Sequence, residues 1–231
     1  MRRAFWRRAV GLRFRLLDSR RYRTTRLETI AGQPILVLAE VFNPKIFWTG
    51  EFLARTLVDD PTLVPAGATV LDMGTGSGVG AVFAARTARR VLAVDINPAA
   101  VRSARINALI HQVDARVEAR EGDLFAPVGD ERFDRILFNP PFYRREPRDM
   151  LERAFFATDV VERFAAGLRD HLAPGGQCLL LLTSTADEPA LLRSFEQQGF
   201  SVEVAARRDA KVEIQSVYRL VPLPVPREPS R

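Results

Sequence analysis

The chain has 231 residues, of which one is cysteine, Cys178, and two are histidine, His111 and His171. A single thiol cannot form a disulfide framework or a cysteine-built zinc site, and it suits a reducing compartment. The two histidines lie near helix ends in no metal-ligand spacing, so both read as structural. Cys178 sits at the start of an apolar run and reads as core. No apolar run approaches the roughly 18 residues a membrane span requires. What is present is enough for a packed interior: 47% of residues are hydrophobic and 27% charged. The length suits one α/β domain with a few dozen residues to spare. Internal repeats are missing, as is any linker between two cores.

Acidic residues are scarce in the first 26 positions, which hold ten arginines and only Asp18. The other 205 residues hold 24 basic and 27 acidic groups, so the formal net charge of +6 belongs to an arm and not to the body. Phe5, Ala9, Leu12 and Leu16 recur at helical spacing, as do Trp6, Val10 and Leu17. That spacing predicts an amphipathic basic helix. Three readings of it stay open. It lays its apolar stripe on the body. Alternatively, arginines within residues 2–26 contact nucleic acid or the ribosome, gaining from counterion release. In the third reading the segment targets an organelle or a membrane surface. A cytoplasmic location is expected, with organelle targeting through the arm as the alternative.

From Thr25 the pattern changes. Leu27 and Thr29, then Ile35 to Val41, flank Ala31-Gly32-Gln33-Pro34, which predicts a β-hairpin turning at Gly32. A helix is expected over Phe47–Leu57. Strands and helices then alternate, which points to a parallel sheet. Strands are expected at Thr69–Met73, Arg90–Val94, Ala115–Ala119, Phe133–Phe138 and Gln177–Leu182. Helices are expected at Gly78–Ala88, Pro98–Ile110, Glu152–His171 and Glu188–Gln198. The long helix is expected to stop at Ala173-Pro174-Gly175-Gly176. Phe200–Ala205 and Val212–Val221 read as two last strands. The gap between them is too short for a crossover helix, so they should pair antiparallel. Three units result: residues 1–45 (basic helix and hairpin), 46–221 (the α/β body) and 222–231 (a proline-rich tail).

The first strand of the body runs into Asp72-Met73-Gly74-Thr75-Gly76-Ser77-Gly78-Val79-Gly80 and then a helix. Glycines there let the backbone turn tightly and approach a ligand where a β-carbon would intrude. Gly76-Ser77-Gly78-Val79-Gly80-Ala81 also satisfies a dinucleotide-binding spacing. Against that reading, Asp72 precedes the glycines, where it would repel a pyrophosphate and welcome a cation. The second strand ends in Asp95-Ile96-Asn97-Pro98, and Asp95 lies 19 residues past Gly76, where an acid takes ribose hydroxyls. Asn97 is the natural helix cap before Pro98, which frees Asp95 for a ligand. The third strand leads to Asp123-Leu124, an acid and an apolar side chain that suit an adenine amine and its flat face.

After the fourth strand comes Asn139-Pro140-Pro141-Phe142. A planar amide or base amine is a poor nucleophile because its lone pair is delocalised. The Asn139 side-chain oxygen and the Pro140 carbonyl can accept its two N–H groups and aim the nitrogen at a methyl donor. The prolines fix that geometry in advance, and Phe142 can stack on the planar group.

The three strand-end acids with the glycine loop resemble the class I S-adenosylmethionine-dependent methyltransferases. The resemblance runs from about residue 45 to residue 221. It implies a Rossmann-like α/β fold, a seven-stranded mostly parallel sheet whose last two strands are antiparallel, and S-adenosyl-L-methionine as cofactor. On it, Asp72, Gly74, Thr75, Gly76 and Gly78 hold the methionine part. Asp95 holds the ribose with Ile96 beside it, and Asp123 and Leu124 hold the adenine. Asn139-Pro140-Pro141-Phe142 resembles the signature of the amino-methylating branch, which implies a catalytic role for all four residues and a cofactor contact for Asn139. Phe47 and Thr49 correspond to the element that closes over the cofactor in that branch.

That branch includes release-factor glutamine methyltransferases of HemK type, adenine-N6 nucleic-acid enzymes and guanine-N2 ribosomal RNA enzymes. The leading expectation is N-methylation of a macromolecule, most of all a protein glutamine. The alternative is an RNA or DNA base amine. A third, of another class, is a non-catalytic module that keeps the cofactor site. Tyr143, Arg144 and Arg145 follow the motif as candidate substrate-binding residues, able to grip RNA phosphates or an acidic protein surface. Only about 45 residues precede the body, fewer than the helical substrate-docking domain such release-factor enzymes usually carry.

Overall fold

The computed structural model describes residues 24–46, 48–210 and 213–224. The expected basic helix, Phe47 and the end of the proline-rich tail lie outside these residues.

Strands β1 (Arg26–Ile30) and β2 (Gln33–Val37) form the expected antiparallel hairpin. Its turn residues Ala31 and Gly32 both have positive φ, 46° and 78°, the geometry whose twist matches that of the flanking strands. Ile30, Ile35 and Val37 are buried in the main core. The hairpin is clipped to the body by the fully buried Asn107. The Asn107 Oδ1 accepts from the Leu36 amide at 2.8 Å, and its Nδ2 donates to the carbonyls of Leu36 and Ser77 at 2.7 and 2.8 Å.

Seven strands make the central sheet: β3 (Thr69–Met73), β4 (Arg90–Asp95), β5 (Val117–Glu121), β6 (Phe133–Phe138), β9 (Leu172–Thr183), β10 (Phe200–Asp209) and β11 (Ile214–Pro222). Their order is β10-β11-β9-β6-β3-β4-β5. The pairs from β9 to β5 are parallel, while β11 runs antiparallel to both β9 and β10. This is the sheet expected from the sequence, including the antiparallel last pair. Alternation along each strand divides the interior. Val70, Val91, Leu137 and Leu179 face helices α1 (Thr49–Asp59), α2 (Val79–Ala84) and α3 (Pro98–Ile110). Leu71, Leu92, Ile136 and Leu180 face helices α4 (Val160–Leu168) and α5 (Glu188–Gln197). Both faces of the central strands are therefore covered, which is why they read as unbroken apolar runs.

Two expectations are corrected. The long helix over Glu152–His171 is helical only from Val160, continued by one 3-10 turn at Arg169–His171. Its first part is a 3-10 turn at Glu152–Ala154 and a short strand β8 (Phe156–Ala157), which pairs in parallel with β7 (Tyr143–Arg144). The aromatic run Phe155-Phe156 faces the cavity described below. Ala173-Pro174-Gly175-Gly176 is not a loop beyond a helix but the opening of β9, with Gly175 at φ 75°. Cys178 is fully buried in β9, and burial pushes its thiol well above the usual range, consistent with a core role.

Candidate functional site

The chain reverses its winding between β3 and β6, and the loops leaving the carboxyl ends of those strands diverge there. Open α/β sheets bind ligands at such a crevice. Here it holds a cavity of about 1480 Å3.

The glycine loop forms its floor. Asp72 is buried at the end of β3; its Oδ2 accepts from the Thr75 hydroxyl at 2.6 Å and the Ala81 amide at 2.8 Å. Those bonds pull the loop back against the first turn of α2. Burial outweighs them and lifts the Asp72 carboxyl to about 6. Gly74 and Gly76 adopt φ of 64° and 54°, and a β-carbon at either would meet nothing nearer than 3.9 Å, so their missing side chains leave room for a ligand. Gly78 differs. It is not on the cavity wall, and a β-carbon there would meet the Ala104 backbone at 2.6 Å. That glycine serves the close packing of the loop on α3.

Asp95 ends β4. One oxygen accepts from the Gly76 amide at 2.8 Å and the other from the Asn97 amide at 2.9 Å. Burial raises its carboxyl, opposed by these amides. Asn97 caps α3 through the Ala99 amide at 2.9 Å, as expected, so the Asp95 carboxylate still faces the cavity. Beside it the wall continues through Ile96, Asp123 and Leu124. Leu124 takes a left-handed backbone with φ 48°. The Asp123 carboxylate is paired with Arg163 at 2.7 Å.

Asn139, Pro140, Pro141 and Phe142 leave β6 directly into the cavity. The Asn139 amide nitrogen donates to the Thr49 hydroxyl at 3.4 Å, which turns its oxygen the other way. That oxygen is buried and accepts no hydrogen bond from any described residue. Thr49 itself is buried at the start of α1. Tyr143 lines the same space, and its hydroxyl lies 3.3 Å from that of Thr185. Arg144 pairs with Glu162, and Arg145 pairs with Glu152 at 2.9 Å while stacking over Phe156 at 3.9 Å. Thus, among the described residues, every expected site residue except Gly78 borders one cavity.

The sequence reading missed part of the lining. Trp48 is 40% exposed at the cavity with φ 58°. Phe155 comes from the segment read as a helix, and its ring lies 5.4 Å from that of Phe42. Thr183, Thr185 and Glu213 come from the antiparallel edge of the sheet. No motif marks these residues, because they meet the site only through strand order. A metal site is not formed: among the described residues no three His, Cys, Asp or Glu gather to hold an ion.

A nucleoside-bearing cofactor with a cationic end fits these residues. Open glycines, the strand-end Asp95 carboxylate, an apolar wall and the buried Asp72 carboxylate lie in one crevice. Comparison with known proteins agrees. Residues 35–210 match the family described as methyltransferase small domain. The chain is 36% identical over 168 residues to a ribosomal protein uL3 glutamine methyltransferase of Bradyrhizobium diazoefficiens, covering 63% of this chain and 51% of that protein. It is 32% identical over 204 residues to a release factor glutamine methyltransferase of Xylella fastidiosa, covering 74% and 72%. The chain thus spans about half the length of the first relative. Among solved structures, the 16S rRNA N2 G1207 methyltransferase of T. thermophilus, in complex with AdoMet and guanosine, superimposes with a TM-score of 0.64. It shares 21% identity and covers 86% of this chain and 50% of that one, a likeness of fold. The chain belongs to the methyltransferase small domain family.

Proposed function

We propose that the protein transfers a methyl group from S-adenosylmethionine to the side-chain amide nitrogen of a glutamine in a protein substrate. The observation that carries this reading is the Asn139 oxygen, buried at the cavity and accepting nothing from the described residues. A buried acceptor left without a donor costs free energy on the order of 1–3 kcal/mol, so it is held for a donor that arrives with the substrate. The Pro140 carbonyl supplies the second acceptor, and a primary amide brings two N–H groups to the pair. Fixing both N–H groups removes the amide's rotational freedom and directs its nitrogen toward the reacting carbon.

The cofactor would lie between the glycine loop and Leu124, with Asp95 on the ribose, Asp123 toward the adenine and Asp72 beneath the cationic end. It supplies an electrophilic methyl on a sulfonium. The N–C bond would form as the methyl–sulfur bond breaks, and the amide N–H, acidic only as the nitrogen acquires the methyl, would pass its proton to solvent, so the chain needs acceptors more than a strong base. Closure over the cavity by Trp48, Phe42 and Phe155 would keep water away from the methyl donor. Relatives named as glutamine methyltransferases support a protein amide over a base amine.

Tritiated methyl transfer into an extract, treated in parallel with ribonuclease and protease, tests this. Label should survive ribonuclease and be lost to protease, and acid hydrolysis of the labelled protein should release methylamine. Label lost to ribonuclease would reject the glutamine reading.

A further inference from the structure

The motif accounts for one side of the acceptor space; the other is a polar wall built at the antiparallel edge of the sheet. Thr183 ends β9, Thr185 follows it, and Glu213 immediately precedes β11; all three line the cavity with Asn139. Gln215 donates to the Glu213 carboxylate at 2.6 Å, and the hydroxyls of Thr183 and Thr185 also hydrogen-bond it. The two threonine hydroxyls lie 2.5 Å apart, and Thr185 reaches Tyr143, the residue after Phe142. Gln215 is fully buried, and its oxygen accepts from Arg208 at 2.6 Å. Its amide is thereby oriented with the nitrogen toward Glu213. The carboxylate is therefore held in a fixed position by uncharged donors.

Glu213 is poorly solvated, and burial raises its carboxyl above the ordinary range in spite of those donors and of Arg208 nearby. A carboxylate has about four acceptor positions, and with Gln215 and the hydrogen-bonded threonine pair donating, at least one is left for the cavity. Such a group attracts an N–H and repels phosphate. On the rim, Arg144, Arg145 and Arg163 are paired with Glu162, Glu152 and Asp123, while Arg148 and Arg153 also line the cavity. Asn139 and Pro140 use both N–H groups of a primary amide, so contact with the rest of the substrate falls to other residues.

We propose that Glu213 is a specificity-determining residue whose carboxylate accepts a backbone N–H of the polypeptide that carries the methylated side chain. This rests on the reading of the cavity as a protein-methylating site.

The test compares wild type with Glu213→Gln, Glu213→Lys and Thr185→Val. The probe is protein extracted from cells deleted for the gene, titrated at saturating tritiated S-adenosylmethionine; calorimetry with the cofactor alone checks that each variant keeps its fold. Glu213→Gln should raise the half-saturating protein concentration about tenfold with maximal rate within twofold, the size of one lost charge-assisted hydrogen bond. Glu213→Lys should raise it further, and Thr185→Val about threefold. Wild-type half-saturation in both Glu213 variants, or a fall in rate alone, overturns the assignment of Glu213 and leaves protein methylation standing. A half-saturating concentration that falls in Glu213→Lys, with label lost to ribonuclease, overturns both. Absence of transfer by wild type into protein likewise removes both.

Discussion

The Gly76 amide donates to the Asp95 carboxylate at 2.8 Å, tying the glycine loop after β3 to the end of β4. One side chain thus shapes the loop and borders the space where a ribose would lie. Asp95→Ala should cost about 1–3 kcal/mol of stability, the range for leaving a buried donor unpaired. Cofactor affinity should fall at least tenfold. Urea unfolding and calorimetry with S-adenosylmethionine measure the two effects separately, and undiminished affinity would remove Asp95 from the cofactor site.

Asn139→Ala removes the orphaned acceptor without touching the glycine loop. Cofactor affinity should stay within about threefold while turnover falls roughly 100-fold or more, as when one oriented polar group is removed from an active site. Thr49→Val frees the Asn139 amide to flip and should give a smaller loss of rate. Turnover near wild type in Asn139→Ala would overturn its role.

Gly78→Ala tests packing, not binding. The new β-carbon meets the Ala104 backbone at 2.6 Å and must sit at φ 81°. A left-handed backbone costs about 1–2 kcal/mol for an alanine, and overpacking adds about 1–3 kcal/mol. The midpoint of urea unfolding should drop accordingly. Gly32→Ala, where a β-carbon meets nothing, carries only the backbone part and serves as the control.

Asp72 sets a pH dependence of stability. Its carboxyl titrates near 6 in the folded chain against an ordinary value of 3.8, because burial disfavours the charge. Between those values the native state holds a proton that the unfolded chain has lost. Its contribution to stability is therefore full below about pH 4 and declines as pH rises through about 6, on the order of 2–3 kcal/mol in all. Asp95 and Glu213 shift the same way, so the difference between wild type and Asp72→Asn isolates the group. That difference should change between pH 4 and 6.5 and be flat above pH 7 in thermal unfolding. A flat difference throughout would show that Asp72 is not perturbed.

The chemistry was legible in the sequence wherever one strand and its following turn carry it. Asp72 with the glycines, Asp95 before its capping Asn97, and Asn139 before two prolines are each contained in one short segment. Local geometry alone sends such groups to the carboxyl edge of a parallel sheet. The parallel sheet followed from the same alternation, and the antiparallel end from a gap too short for a helix; the order of the strands did not. The aromatic part of the cavity wall was not legible: Phe155 and Phe156 belong to a run whose periodicity suits a helix, yet they line the cavity. Gly78 looked like part of the binding loop, yet its need for a bare α-carbon comes from Ala104, 26 positions away in the chain.

By itself the sequence determined the sheet, the crevice and the acids around it, because alternation, capping and glycine placement act over a few residues. Only the tertiary structure decided that Thr183, Thr185 and Glu213 share a cavity with Asn139, that Arg163 pairs with Asp123, and that Asn107 clips the hairpin to the body. Those relations depend on which strands lie side by side and which helix covers them, and such contacts between distant segments leave no period or spacing in the chain.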